Sequence, residues 1–428
     1  MAARKKTAKQ PPHSMSDIHA SFKSNLQSLE SFVAGLGPVA KQHDLAMIGK
    51  VEEAASTMVE RVVKEFGLPA GDLKKLEEAL GNLNPGQKKR MKEITVECMQ
   101  GIVKLSPPQE RLLYQASFVL LMSYVDFLIS DLVHYYYNKY PGSLSEKEHI
   151  LTLGELGNFS EISDAMEYLI DKAVQRVLFD TFDNQVLYLK STLKVEIEGK
   201  YPSWSRLQEA MERRHLIVHN NCIVNGRYLS KVDLTIVPEK RGQLKEGAEL
   251  QIREAYFDDI LEEALVAGIT LIQCCWRKWE RASINDADGS LNAVIYDLLL
   301  KEKWTVAERI GSIAKQFGGA SQQARMHFHV NYCQALKWQG KNADLETELK
   351  SLDVSALSPK YCLAVAALKS DQKAFWANVE NAIAVDEMKE EDSMEWPLFR
   401  ELRNDPAYAT RIKEVFASVA AKEPKADQ

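Results

Sequence analysis

Three residues in the segment Glu212–Asn221 (ERRHLIVHNN) have the types and spacing to act on a phosphodiester: Arg214, His215 and His219. A guanidinium grips a non-bridging phosphate oxygen through its fixed fork of donors. An imidazole takes or gives a proton near neutral pH without a metal. Leu216, Ile217 and Val218 lie between the polar groups and predict that packed backbone carries them. On a helix, His215 and His219 share a face, whereas Arg214 and His219 diverge by roughly 140°. A single helix therefore does not aim both Arg214 and His219 at one atom, and a second copy facing it would bring two such sets into one cleft. The same string also fits an ordinary helix end with a solvated Arg, a capping His and a core His. His-x-x-x-His fits half of a metal site, but a third ligand and the glutamate of an H-E-x-x-H pattern are missing, so no metal is expected.

The surrounding order of elements must position these groups. Upstream, the strongly apolar RLLYQASFVLLMSYVDFLISDLVHYYY predicts a buried helix starting at Ser106-Pro107-Pro108, with Ser as cap and Pro in the first turn. Asp126 and Asp131 interrupt it, and His134, Tyr135, Tyr136, Tyr137 and Tyr140 form an aromatic group near its end, suited to packing or to stacking on bases. Trp204 to His219 reads as the helix bearing the motif. Asn221 to Pro238 reads as extended, with Asn225-Gly226 as a hairpin-type turn. Val237 to Ile252 reads as loop with a short strand, and Glu254 to Arg281 as the closing helix.

With these flanks, RRHLIVHNNCIVNGRYL resembles the signature of the HEPN superfamily, and more narrowly its all-helical ribonuclease branch. The matching positions are Arg214, His215, Leu216 to Val218, His219, Asn220 and Tyr228, and the likeness spans Pro107 to Arg281. It implies an all-α, HEPN-type bundle that works as a homodimer, two motifs forming one composite site. It also implies a metal-independent endoribonuclease needing no cofactor, cleaving by 2′-hydroxyl attack to leave a 2′,3′-cyclic phosphate. Arg214 and His219 would be the catalytic residues, with His215, Asn220 and Asp126 in support. A toxin or antiviral-defence role follows from the same likeness. The alternatives are a HEPN-fold module that binds RNA, a nucleotide or a protein without cleaving, and a helical scaffold in which the motif is structural.

Composition agrees with an ordinary globular protein. The 428 residues are 45% hydrophobic and 27% charged, enough for two or three domains. A net charge of −6 argues against a general nucleic-acid coating protein but leaves room for a local basic cleft. The six cysteines show no C-x-x-C pair or zinc spacing and read as buried hydrophobes of a reducing compartment. The basic N-terminus MAARKKTAKQPP precedes no apolar signal region, and the most apolar tract, Ala264 to Trp276, is too short for a bilayer. A cytoplasmic protein with no membrane partner is expected.

The expected organisation is a disordered basic tail (1–13), a helical extension (14–105), the HEPN-like domain (106–282), a polar linker (283–290) and a helical-repeat domain (291–428). In the extension, Ile18, Phe22, Leu26, Leu29 and Phe32 form an amphipathic stripe; Gly35–Pro38 should break that helix, and Gly67 with Pro69 should end the next. Lys88, Lys89, Arg90 and Lys92 form a basic run, expected to be a solvated face. Beyond the linker, helical patterns recur in pairs, like a degenerate tetratricopeptide-type array, which would offer a concave face to a protein trigger or inhibitor.

Overall fold

The computed structural model describes residues 14–69, 73–99, 108–144, 150–197, 199–201, 203–239, 244–352 and 357–422. The expected tail 1–13 and the Ser106-Pro107 cap lie outside them. In chain order the helices are α1 (Met15–Phe66), α2 (Leu73–Gly81), α3 (Pro85–Met99), α4 (Gln109–Lys139), α5 (Leu153–Leu156), α6 (Ile162–Leu178), α7 (Phe182–Ser191), α8 (Trp204–Asn220) and α9 (Gly226–Lys231). They continue with α10 (Glu254–Trp279), α11 (Ile284–Leu300), α12 (Trp304–Phe317), α13 (Gln322–Trp338), α14 (Asn342–Lys350), α15 (Pro359–Leu368), α16 (Gln372–Ala384), α17 (Glu390–Glu395) and α18 (Tyr408–Lys422). No strand occurs among the described residues beyond one isolated bridge, so the fold is all-α.

Two compact units divide the chain, each discontinuous in sequence. One comprises residues 1–23, 125–204 and 262–428; the other comprises 24–124 and 205–261. Residues 106–282 therefore contribute to both units.

The unit of 24–124 and 205–261 carries the motif. Helix α1 runs unbroken through Pro38. Proline forfeits the bond to the carbonyl four residues back, but here that carbonyl belongs to Ala34, an exposed residue, so water can satisfy it. The apolar stripe also shifts: Leu26, Leu29 and Val33 are buried, whereas Phe32 is exposed. The helix stops where Gly67 takes a left-handed φ of 62° and Leu68 N–H reaches back to the Val63 carbonyl. Arg90 of the basic run is paired with Glu65, Glu93 and Glu97, as a solvated face would be. Asp44 on α1 accepts the backbone N–H groups of Gln109 (2.8 Å) and Glu110 (2.9 Å), capping α4 from 65 residues away. Tyr114 and Phe118 of α4 then pack on Phe257 and Tyr256 of α10.

In the other unit, Gly268 of α10 lies directly against Phe22 of α1: a Cβ there would sit 2.2 Å from the Phe22 ring. Tyr135 stacks on Trp279, and Tyr136 packs against the same indole, so these two members of the aromatic group are engaged in internal packing. The segment 283–290 is not an irregular linker; residues 284–290 are the opening turns of α11. Ala287 and Leu291 are fully buried there. Asp288, which makes the segment look polar, is itself buried: it pairs with Arg277 and accepts the Ala320 N–H at 2.6 Å. Beyond it α12 packs on α13 and α15 on α16, and a continuous core runs from Met326 to Ile412.

Helix α4, not the tract at 264–276, has the length and apolarity to cross a membrane, and half of that apolar window is buried inside the protein.

Candidate functional site

Helix α8 has one committed face. Leu207, Ala210, Arg213 and Leu216 recur every third residue and are buried, as is Glu209. Arg213 is wholly enclosed. Its Nε donates to Glu209 (2.7 Å), its two Nη groups donate to Glu239 (3.1 and 2.9 Å), and its guanidinium lies 4.0 Å from the Tyr256 ring centroid. Glu209 also accepts the hydroxyls of Tyr228 and Tyr256. Burial together with the Glu209 carboxylate pushes both phenols well above their ordinary range, so they stay protonated donors. A buried charge is tolerated only when its hydrogen bonds are met, and here one cation meets two carboxylates. The network fixes α8 to α9, to α10 and to the segment bearing Glu239.

The end of α8 is equally specified. Asn221 and Cys222 take left-handed φ values of 48° and 64°. Cys222 N–H reaches the Leu216 carbonyl (3.0 Å), and the Asn220 side-chain amide donates to the Ile223 carbonyl (2.5 Å). The expected hairpin does not form. Asn225 is extended, and its side chain accepts the Tyr228 N–H (3.0 Å), which starts α9 instead of a turn. Asn-Gly closes a hairpin only when both residues take positive φ; here Asn acts as a helix cap. Residues 222–224 instead pair with 247–250: Val224 N–H donates to the Ala248 carbonyl and Leu250 N–H to the Cys222 carbonyl.

On the open side of α8, His215 and His219 face each other with ring centroids 4.5 Å apart. His219 is exposed, and Val218 beside it is 51% exposed, so it is not the packed spacer the sequence suggested. Partial burial first, then the positive charge of Arg227, lowers the His215 pKa from the usual imidazole value; His219 and Arg214 add to this, and Glu212 opposes it. Arg227 is held by Glu212 through a two-pronged pair at 3.0 and 3.1 Å.

The sequence-derived residues thus separate. His215 and His219 come together. Arg214 is half-buried and lies about 100° round the helix from His215. Asn220 is committed to ending the helix, and Tyr228 to the buried network. Asp126 is half-buried on α4 and belongs to the other compact unit. Sequence reasoning missed Arg213, Glu209 and Glu239, which lock the helix, and Arg227, which charges the histidine face. The i, i+4 spacing of Glu209 and Arg213 was the one available signal. Among the described residues no group of three His, Cys, Asp or Glu side chains is arranged to hold a metal ion. No family model, curated protein or solved structure matches the chain.

Proposed function

We propose that the protein is a metal-independent endoribonuclease of the HEPN type, acting through the open face of α8. The observation that carries this reading is the pair of imidazoles at 4.5 Å on a helix end held rigid by the buried Arg213 network. Two facing imidazoles suit in-line transfer at phosphorus. One takes the 2′-hydroxyl proton as that oxygen attacks the adjacent phosphorus; the other gives a proton to the departing 5′-oxygen, leaving a 2′,3′-cyclic phosphate. His215, with its lowered pKa, suits the first role, and His219 takes the second. Arg214 stabilises charge on the phosphorane oxygens. Because Arg214 and His219 diverge on one helix, the full site draws on a second copy, and exposed Val218 beside His219 gives that contact an apolar component. The C-terminal helices, as a tetratricopeptide-like array, dock a protein trigger or inhibitor in a toxin or defence setting, within the cytoplasm.

That same divergence favours a second reading, a HEPN-fold module that binds RNA or a protein without cleaving it. Purified wild-type, His215→Ala and His219→Ala chains incubated with RNA in EDTA separate the two. The nuclease reading expects cleavage by wild type and a loss of roughly a hundredfold or more in each variant. Binding without cleavage by wild type supports the second reading. Cleavage that EDTA abolishes and a metal restores contradicts the first.

A further inference from the structure

Glu212, His215 and His219 are spaced three and four apart and so form a single row along the open side of α8. Arg227, on the neighbouring α9, docks at the Glu212 end of this row. It exerts the largest charge effect on His215 of any side chain, ahead of Arg214. Its side chain is about half exposed (48%), while Glu212 beneath it is largely covered (12%). The pair uses Nε and Nη2 of the guanidinium, so Glu212 orients the fork and leaves its Nη1 edge unused by that pairing. A guanidinium held along one edge, half exposed and beside an imidazole pair, is preorganised for a phosphate oxygen.

We infer that Arg227 is a phosphate-binding residue of the His215–His219 face, holding a backbone phosphate of a single-stranded polynucleotide, with Glu212 as the residue that positions it. This rests on the nuclease reading for the identity of the polymer but not on cleavage. The structural alternative is that the Arg227–Glu212 pair merely straps α9 to α8.

The test uses the full chain and a single-stranded 2′-O-methyl oligoribonucleotide, which cannot be cut by 2′-hydroxyl attack. Binding is followed by fluorescence anisotropy across a salt series for wild type, Arg227→Gln, Arg227→Lys and Glu212→Gln, with circular dichroism to verify folding. Each phosphate contact on a single strand contributes about 0.7 to the slope of log affinity against log salt. Arg227→Gln is expected to weaken binding and flatten the slope by about that amount, and Arg227→Lys to restore the slope. Glu212→Gln keeps one acceptor oxygen to orient the Arg227 fork and removes a nearby negative charge, so it should bind at least as well as wild type. A simple strap would make Glu212→Gln and Arg227→Gln equally harmful, which overturns the assignment. An unchanged slope in Arg227→Gln overturns the assignment alone. Failure of wild type to bind the probe overturns both the assignment and the nuclease reading.

Discussion

Arg213 and Glu209 form a fully buried ion pair one helical turn apart, with Nε 2.7 Å from the carboxylate and a tyrosine hydroxyl arriving from each of two further segments. Truncating one partner of such a pair strands the other charge in the interior. Arg213→Ala should therefore cost about 3–5 kcal/mol of folding stability, read from urea unfolding. Replacing Glu209 and Arg213 together with Leu and Met should cost distinctly less, since the carboxylate then left without its cation is Glu239, whose side chain is a third exposed and can be hydrated. A loss below about 1 kcal/mol for Arg213→Ala would remove the network as the anchor of α8.

His19 ties acid sensitivity to the other unit. Burial first, and Lys23 second, lower its pKa from 6.5 to about 4. The folded state thus keeps it neutral at pH values where the unfolded chain has already taken up a proton. Its contribution is present above about pH 6.5 and is lost as pH falls toward 4, by up to about 3 kcal/mol. His19→Gln should flatten the stability profile in that window. A profile identical to wild type would contradict the assignment.

Asp44 caps a helix that begins far along the chain. Although partial burial opposes it, hydrogen bonds from the Glu110 and Gln109 N–H groups, with a smaller effect of His43, hold its carboxyl below the usual range. The stabilisation is present above the ordinary aspartate pKa and is lost as pH falls through the lowered one. Asp44→Ala should cost about 1 kcal/mol at neutral pH, with Asp44→Asn intermediate. Equal stability of all three chains at neutral pH would show that the cap contributes nothing.

Much of the helical order was legible. The starts of the helices at Trp204 and Glu254 agree residue for residue with the sequence reading, because strong apolar periodicity and turn residues coincide there. The failures share a cause: polarity was read without its hydrogen-bond partner. Asp288 looks like linker chemistry until Arg277 and the Ala320 N–H neutralise it. Asn225 looks like a hairpin residue until its side chain caps Tyr228. At the site, i, i+4 spacing was enough to place His215 beside His219. Arg227 approaches from a different helix, and no spacing rule on α8 could supply it.

A composite site also predicts complementation. Arg214→Ala and His219→Ala chains, each inactive alone, should regain part of the cleavage rate when mixed if each centre takes its Arg and His from opposite copies. Native mass spectrometry would verify that mixed dimers form. Mixed dimers with no recovered activity would place both groups in one copy or neither in the site.

The central claim concerns which oxygen attacks, and one substrate reads it directly. An oligodeoxynucleotide carrying a single ribonucleotide offers one 2′-hydroxyl, so incubation with wild-type protein in EDTA should give one cut, immediately 3′ of that ribose. The mass of the upstream fragment should show a terminal 2′,3′-cyclic phosphate, and His219→Ala should leave the strand whole. Cutting at deoxynucleotides, or an upstream fragment ending in a free 3′-hydroxyl, would contradict attack by the 2′-oxygen and with it the role assigned to the His215–His219 face.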